Sequence, residues 1–246
     1  MSSRSVSPVA AIRLTYGLLL RQLLTLGRVL ALLAVGIGVA LVALAIGLAD
    51  DIDEPLEAAV GVIAGLGFVV VVPVVSLVFA SAALGDARED GTLVYLWLRP
   101  IDRWPVVVAA WLAALTVSLP VTIVPLAVGA GLSGGGAELV NATVLAAVVG
   151  VVSYSALFVL LGLLVKNAIV WGLGFVLIWE GVIATFASGV ASLTIARYTR
   201  TIITAITEVD IELGGSSLTV GIVVPLVVAV AALVAASVRL RSMDIA

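Results

Sequence analysis

The residues of this chain that could do chemistry are few and crowded. Seven charges fall within residues 86–103: Asp86, Arg88, Glu89, Asp90, Arg99, Asp102 and Arg103. Between them Gly91 and Thr92 lead into the apolar and aromatic run from Leu93 to Leu98, which closes on Arg99 and Pro100. Long apolar stretches flank this island on both sides. Charges in such a place are a good docking point for a soluble partner; the plainer reading is an ordinary solvated loop with snorkelling arginines. One further acid, Glu180, stands inside an apolar stretch, in the run GLGFVLIWEG from Gly172 to Gly181. A carboxylate facing lipid is costly, so it normally faces protein or water. Trp179 and Glu180 are therefore the intramembrane candidates. Glu180 has a functional reading, as a group on a pathway, and two plainer ones: a structural hydrogen bond to a neighbouring helix, or a position close enough to the outer interface to be wet. Twelve residues into a helix beginning at Ala168, it lies about 18 Å along the axis, past the membrane midplane.

Much chemistry is excluded by composition. The chain has no histidine and no cysteine. It therefore lacks the commonest general base and metal ligand, and any thiol nucleophile, disulfide or zinc–thiolate site. No G-x-x-x-x-G-K-[ST] loop is present to cradle nucleotide phosphates. The only lysine, Lys166, is followed by Asn167. The expectation is a non-enzyme with no metal and no cofactor of its own.

The elements that must position these residues are helices. The chain is 63% hydrophobic and 11% charged, against about 45–50% and about 25% in soluble domains. A bilayer core of about 30 Å takes roughly 20 apolar residues per helix. Six stretches qualify: residues 29–48, 59–84, 105–128, 143–165, 168–187 and 219–238. The expected fold is all-α, one transmembrane domain over residues 1–246 with six spans. Basic residues set its orientation. Ten of the twelve, Arg4, Arg13, Arg21, Arg28, Arg88, Arg99, Arg103, Lys166, Arg239 and Arg241, fall on one side, and Arg197 and Arg200 on the other. By the positive-inside rule both termini are cytoplasmic. The acidic run Asp50, Asp51, Asp53, Glu54 and Glu57 lies outside, as the rule allows.

Before the first span, Arg13, Gly17, Arg21, Thr25 and Arg28 recur at near four-residue spacing, opposite Ile12, Tyr16, Leu19, Leu20, Leu23 and Leu24. This pattern predicts a basic amphipathic helix over residues 8–28, lying in the membrane interface. In the long segment 188–218, Ile195, Tyr198, Ile202, Ile203 and Ile206 predict a helix at or dipping into the outer leaflet. Acids at Asp86, Glu89 and Asp90 suit the first turn of a short helix starting near Asp86. Gly61 and Gly65 offer a small-xxx-small face for close helix approach. Pro73, Pro120, Pro125 and Pro225 are candidate kinks.

The island resembles the cytoplasmic loop of ABC-2-type transporter permeases, which reads roughly E-R-E-x-G-T-L, then R-P and another basic residue. Arg88, Glu89, Gly91, Thr92, Leu93, Arg99, Pro100 and Arg103 fit it. The first acid of that pattern falls on Ala87, with Asp86 just before it. The Trp179–Glu180 pair followed by a long loop is also similar to members of this family. The resemblance implies a permease subunit, most often of an exporter, whose loop 86–103 forms a coupling helix in a groove of a separate ATPase subunit. The partners so implied are two ATPase copies, which carry the ATP and Mg, a second permease copy or homologue, and the lipid bilayer, with no nucleic acid. It also implies a connecting helix ahead of the first span, and short re-entrant helices before the last span that close the outer gate. The implied location is the plasma (inner) membrane of a prokaryote. Two alternatives remain: an ion-gradient-driven secondary carrier, which calls for more intramembrane charge than Glu180, and a non-transport scaffold or assembly protein.

Overall fold

A computed structural model describes residues 7–49, 54–91, 102–183, 194–209 and 217–243, with side chains undescribed at 181–183. Every regular element among them is helical: α1 (Pro8–Leu23), α2 (Leu26–Gly47), α3 (Pro55–Glu89), α4 (Arg103–Leu132), α5 (Gly136–Leu164), α6 (Ala168–Gly174, continued by a π-helical stretch Phe175–Ile183), α7 (Ile195–Thr207) and α8 (Leu218–Ser242). Five of them, α2, α3, α4, α5 and α8, are long and apolar enough to cross a membrane.

The ends follow from local chemistry. Ser7 and Ser217 cap α1 and α8 by accepting from the Ala10 and Val220 amides, and Pro8 sits at the first helical position of α1, where its missing N–H costs nothing. Glycine closes α3: Gly91 has φ +68°, in the left-handed region that residues with a Cβ avoid. Within α3, residues Ile63–Val71 widen into a π-helix just ahead of Pro73. Proline lacks an N–H and crowds the preceding turn, and the widened turn accommodates both defects.

Helix α5 is the hub, packing against α3, α4, α7 and α8. It can serve four neighbours because small residues recur around it: Ala146, Ala147, Gly150, Ser153, Ala156 and Gly162 are all buried. A helix apolar on every side belongs in an interior. Contact pairs fix directions. Gly150 meets Val72, and Gly162 meets Ser81 and Gly85, so α3 and α5 run parallel. Gly36 meets Pro125 and Gly129 meets Ala40, so α2 and α4 run parallel. Trp111 of α4 donates its indole N–H to the Val152 carbonyl at 3.2 Å. Helix α8 descends beside α5: Gly221 packs on Tyr198 and Ile202, level with Gly150 and Thr199, while Ala229 and Ala232 pack on Ala156.

Several expectations are corrected. The helices overrun the predicted spans because polar residues are tolerated at helix ends. Thus α3 carries Glu57, Asp86, Arg88 and Glu89 within it, and Asp86 and Glu89 occupy its last turn rather than the first turn of a new helix. The segment 8–28 is not one helix: it breaks at Leu24 and Thr25, and Arg28 belongs to α2. α1 lies along α4, its Ala11, Thr15, Leu19 and Leu23 buried and its Tyr16 hydroxyl 3.0 Å from Thr116 Oγ1. A Cβ on Gly61 or Gly65 would meet nothing within 4 Å, so that motif makes no close approach here. Residues 184–187 of the predicted fifth span lie outside the described residues.

Candidate functional site

The end of α3 places the first group of candidates. Asp86 accepts from both terminal nitrogens of Arg28 at 3.4 and 3.3 Å, tying α3 to the first turn of α2. Glu89 accepts from the backbone N–H of Asn167 at 2.7 Å. Asn167 holds the turn between α5 and α6 in the left-handed region, φ 54°. Two acids predicted to face a partner are thus engaged within the chain. Arg88 keeps one terminal nitrogen, Nη1, buried without a hydrogen bond among the described residues. Asp90 and Gly91 are exposed. Thr92, Leu93, Arg99 and Pro100 lie outside the described residues. Ser81, Gly85, Asp86, Glu89, Asn167 and Ala168 line a pocket of ≈ 250 Å³ at this end.

The second group centres on Glu180. Glu180 is 4% exposed and so is enclosed by protein. Oε1 accepts from the Ile195 amide at 3.2 Å and Oε2 from the Ala196 amide at 3.1 Å. Those are the first two N–H groups of α7, which have no partner inside their own helix. A carboxylate there satisfies them and meets the positive end of the helix dipole. The capping acid is thus supplied by another helix, fifteen residues away in sequence.

Around the carboxylate the fold gathers two more polar side chains. The fully buried Tyr154 places its hydroxyl beside it, outside hydrogen-bonding geometry with any described group. Arg200 of α7 lies near both and donates Nε–H to the Ala64 carbonyl at 3.1 Å. Ala64 belongs to the π-helical stretch of α3. Arg200, expected in an outer loop, is thus half-buried against α3. An aromatic file, Tyr154 on Phe158, Phe158 on Phe175 and Phe175 on Trp179, with centroids 5.8, 6.4 and 6.5 Å apart, seats α6 against α5. This gives Trp179 a packing role. Tyr154 lies about 15 Å along α5 from its Leu164 end and about 27 Å from its Gly136 end. Glu180, beside it, is thus nearer the Leu164 end of α5 than the Gly136 end.

Sequence reasoning missed Arg28, Tyr154, Asn167 and Arg200. A tyrosine between two serines within an apolar span, and an arginine inside the isoleucine-spaced helix, were the available signals for Tyr154 and Arg200. Asn167 and Arg28 gave none, since their roles depend on which acid lies opposite.

Five long apolar helices among the described residues, the central α5 one of them, define the class: a helical, membrane-embedded protein. No protein-family profile, curated protein or solved structure matches the chain.

Proposed function

We propose that this chain is the membrane-spanning permease subunit of an ATP-driven ABC-2-type transporter, working as an exporter with a separate ATPase. The observation that carries the reading is the residue pattern Arg88, Glu89, Gly91, Thr92, Leu93, Arg99, Pro100 and Arg103, standing where α3 ends in a glycine turn. Since Asp86 and Glu89 are tied to Arg28 and Asn167, the ATPase contact falls on Asp90, Gly91 and residues 92–100.

The reading includes six crossings with both termini cytoplasmic. α5 and α8 run in the same direction, so the chain between them has to return, and α6 with α7 supplies that passage as a broken crossing. α1 serves as the interfacial helix, with Arg13 and Arg21 exposed beside its buried stripe. A second permease copy and two ATPase copies complete the assembly, and ATP with Mg binds on the ATPases. The plasma membrane of a prokaryote is its location.

The test is purification from native membranes. A protein bearing a G-x-x-x-x-G-K-[ST] loop and hydrolysing ATP should co-purify in fixed ratio. Asp90→Arg, at an exposed position, and Leu93→Asp should reduce its retention without lowering the amount of this chain in the membrane. Absence of any ATPase from the wild-type complex, with transport that follows an ion gradient, would replace this reading with the secondary carrier.

A further inference from the structure

Helix α6 is held by a carboxylate at each end. At its start, Glu89 of α3 accepts from the Asn167 amide at 2.7 Å. Thirteen residues on, its own Glu180 accepts from the Ile195 and Ala196 amides of α7. Between the ends its packing is apolar: Gly172 against Leu77 of α3, and Phe175 against Phe158 of α5. Its other face, with Val170, Trp171, Leu177 and Ile178, is exposed. Apolar contacts are not directional, whereas hydrogen bonds to a carboxylate fix position and are the stronger kind. A short helix pinned by such bonds at both ends, with close-packed apolar contacts between that transmit strain, can carry an axial displacement from one end to the other.

We infer that α6 is a connecting rod, transmitting the position of the charged end of α3, through Glu89 and Asn167, to the N-terminus of α7 through Glu180. Glu89 and Glu180 are positioning residues, one at each joint. Displacement of the α3 end shifts Asn167, moves α6 along its axis and alters the grip of Glu180 on the first turn of α7. The inference uses the two joints and the packing of α6, and does not require the transport reading.

Amide hydrogen exchange on the purified full chain in lipid nanodiscs tests it without any partner. In Glu180→Ala, exchange at Ile195 and Ala196 should rise about tenfold or more, because both amides lose a charged acceptor. In Glu89→Ala, about 20 Å away along α6, exchange at the same two amides should rise about fivefold, in the range of ordinary coupling between sites. Glu89 is exposed, so its truncation empties no core. Glu89→Gln retains an acceptor oxygen and should keep wild-type exchange at α7. The double variant Glu89→Ala with Glu180→Ala should exchange no faster at α7 than Glu180→Ala alone, since the rod is already disconnected. The inference is overturned if Glu89→Ala leaves Ile195 and Ala196 unchanged, if the two effects multiply in the double variant, or if α4 amides rise equally and reveal general loosening.

Discussion

At Gly162 the backbones of α5 and α3 approach closely, and replacing it gives a sharp test of this packing. A Cβ at Gly162 would lie 2.7 Å from the Ser81 carbonyl oxygen, 3.4 Å from Gly85 N and 3.5 Å from Gly85 Cα. All three are backbone atoms, so no side-chain rotation can relieve the overlap. The two helices must part by several tenths of an ångström along a crossing that also positions Asp86 and Glu89. Overpacking of this kind costs about 1–3 kcal/mol. Against it stands about 1 kcal/mol gained when alanine replaces glycine inside a helix. Gly162→Ala should therefore be destabilised by about 0–2 kcal/mol, and Gly162→Val by more, because valine adds bulk and little helix propensity. Gly61→Ala is the control: its Cβ meets nothing, so the variant should be unchanged or stabilised by up to about 1 kcal/mol. Thermal unfolding of purified protein in detergent, with both variants beside the wild type, reads the difference. A shift of about 2–4 °C accompanies each kcal/mol in a chain of this size. If Gly61→Ala is the destabilised variant and Gly162→Val the neutral one, the crossing is wrong and the small-xxx-small motif at Gly61 and Gly65 is the true contact.

Gly91→Ala should lose about 1 kcal/mol by denaturation, because φ +68° is strained for a residue with a Cβ; equal stability would mean that α3 does not end there in a left-handed turn. The Arg28–Asp86 pair is 38% and 30% exposed, so Arg28→Ala should cost no more than about 1 kcal/mol, with the loss shrinking in high salt; a salt-independent loss would point to packing by the arginine stem. Glu180→Leu leaves the Ile195 and Ala196 amides buried without acceptors, and should lower the amount of folded chain in the membrane more than Glu180→Gln, which keeps one acceptor; equal abundance of the two would remove the capping role. Because the chain has no cysteine, Glu138→Cys should react with an impermeant thiol reagent on intact cells and Ser242→Cys should not; the reverse pattern would invert the orientation.

Composition and hydropathy alone determined that this is a helical membrane protein, since an excess of apolar residues in runs of about 20 has few other uses. They also placed a helix in the segment before the last span, where the isoleucine spacing matches the buried Ile195, Ile202 and Ile203 of α7, and they singled out Glu180 as an acid that lipid would not tolerate. What Glu180 does could not be read there. Its partners are the backbone amides of Ile195 and Ala196, which every residue but proline carries and which no sequence pattern marks. For the same reason the bond from the Asn167 amide to Glu89 is marked by no pattern in the sequence. The glycines show the limit most plainly: Gly61 and Gly65 have the right spacing and meet nothing, while Gly162 has Phe158 and Lys166 four residues away, no such motif, and touches α3. Spacing says which residues share a face of one helix. Which helix that face meets is decided by how all the helices pack together, and only the tertiary structure holds that information.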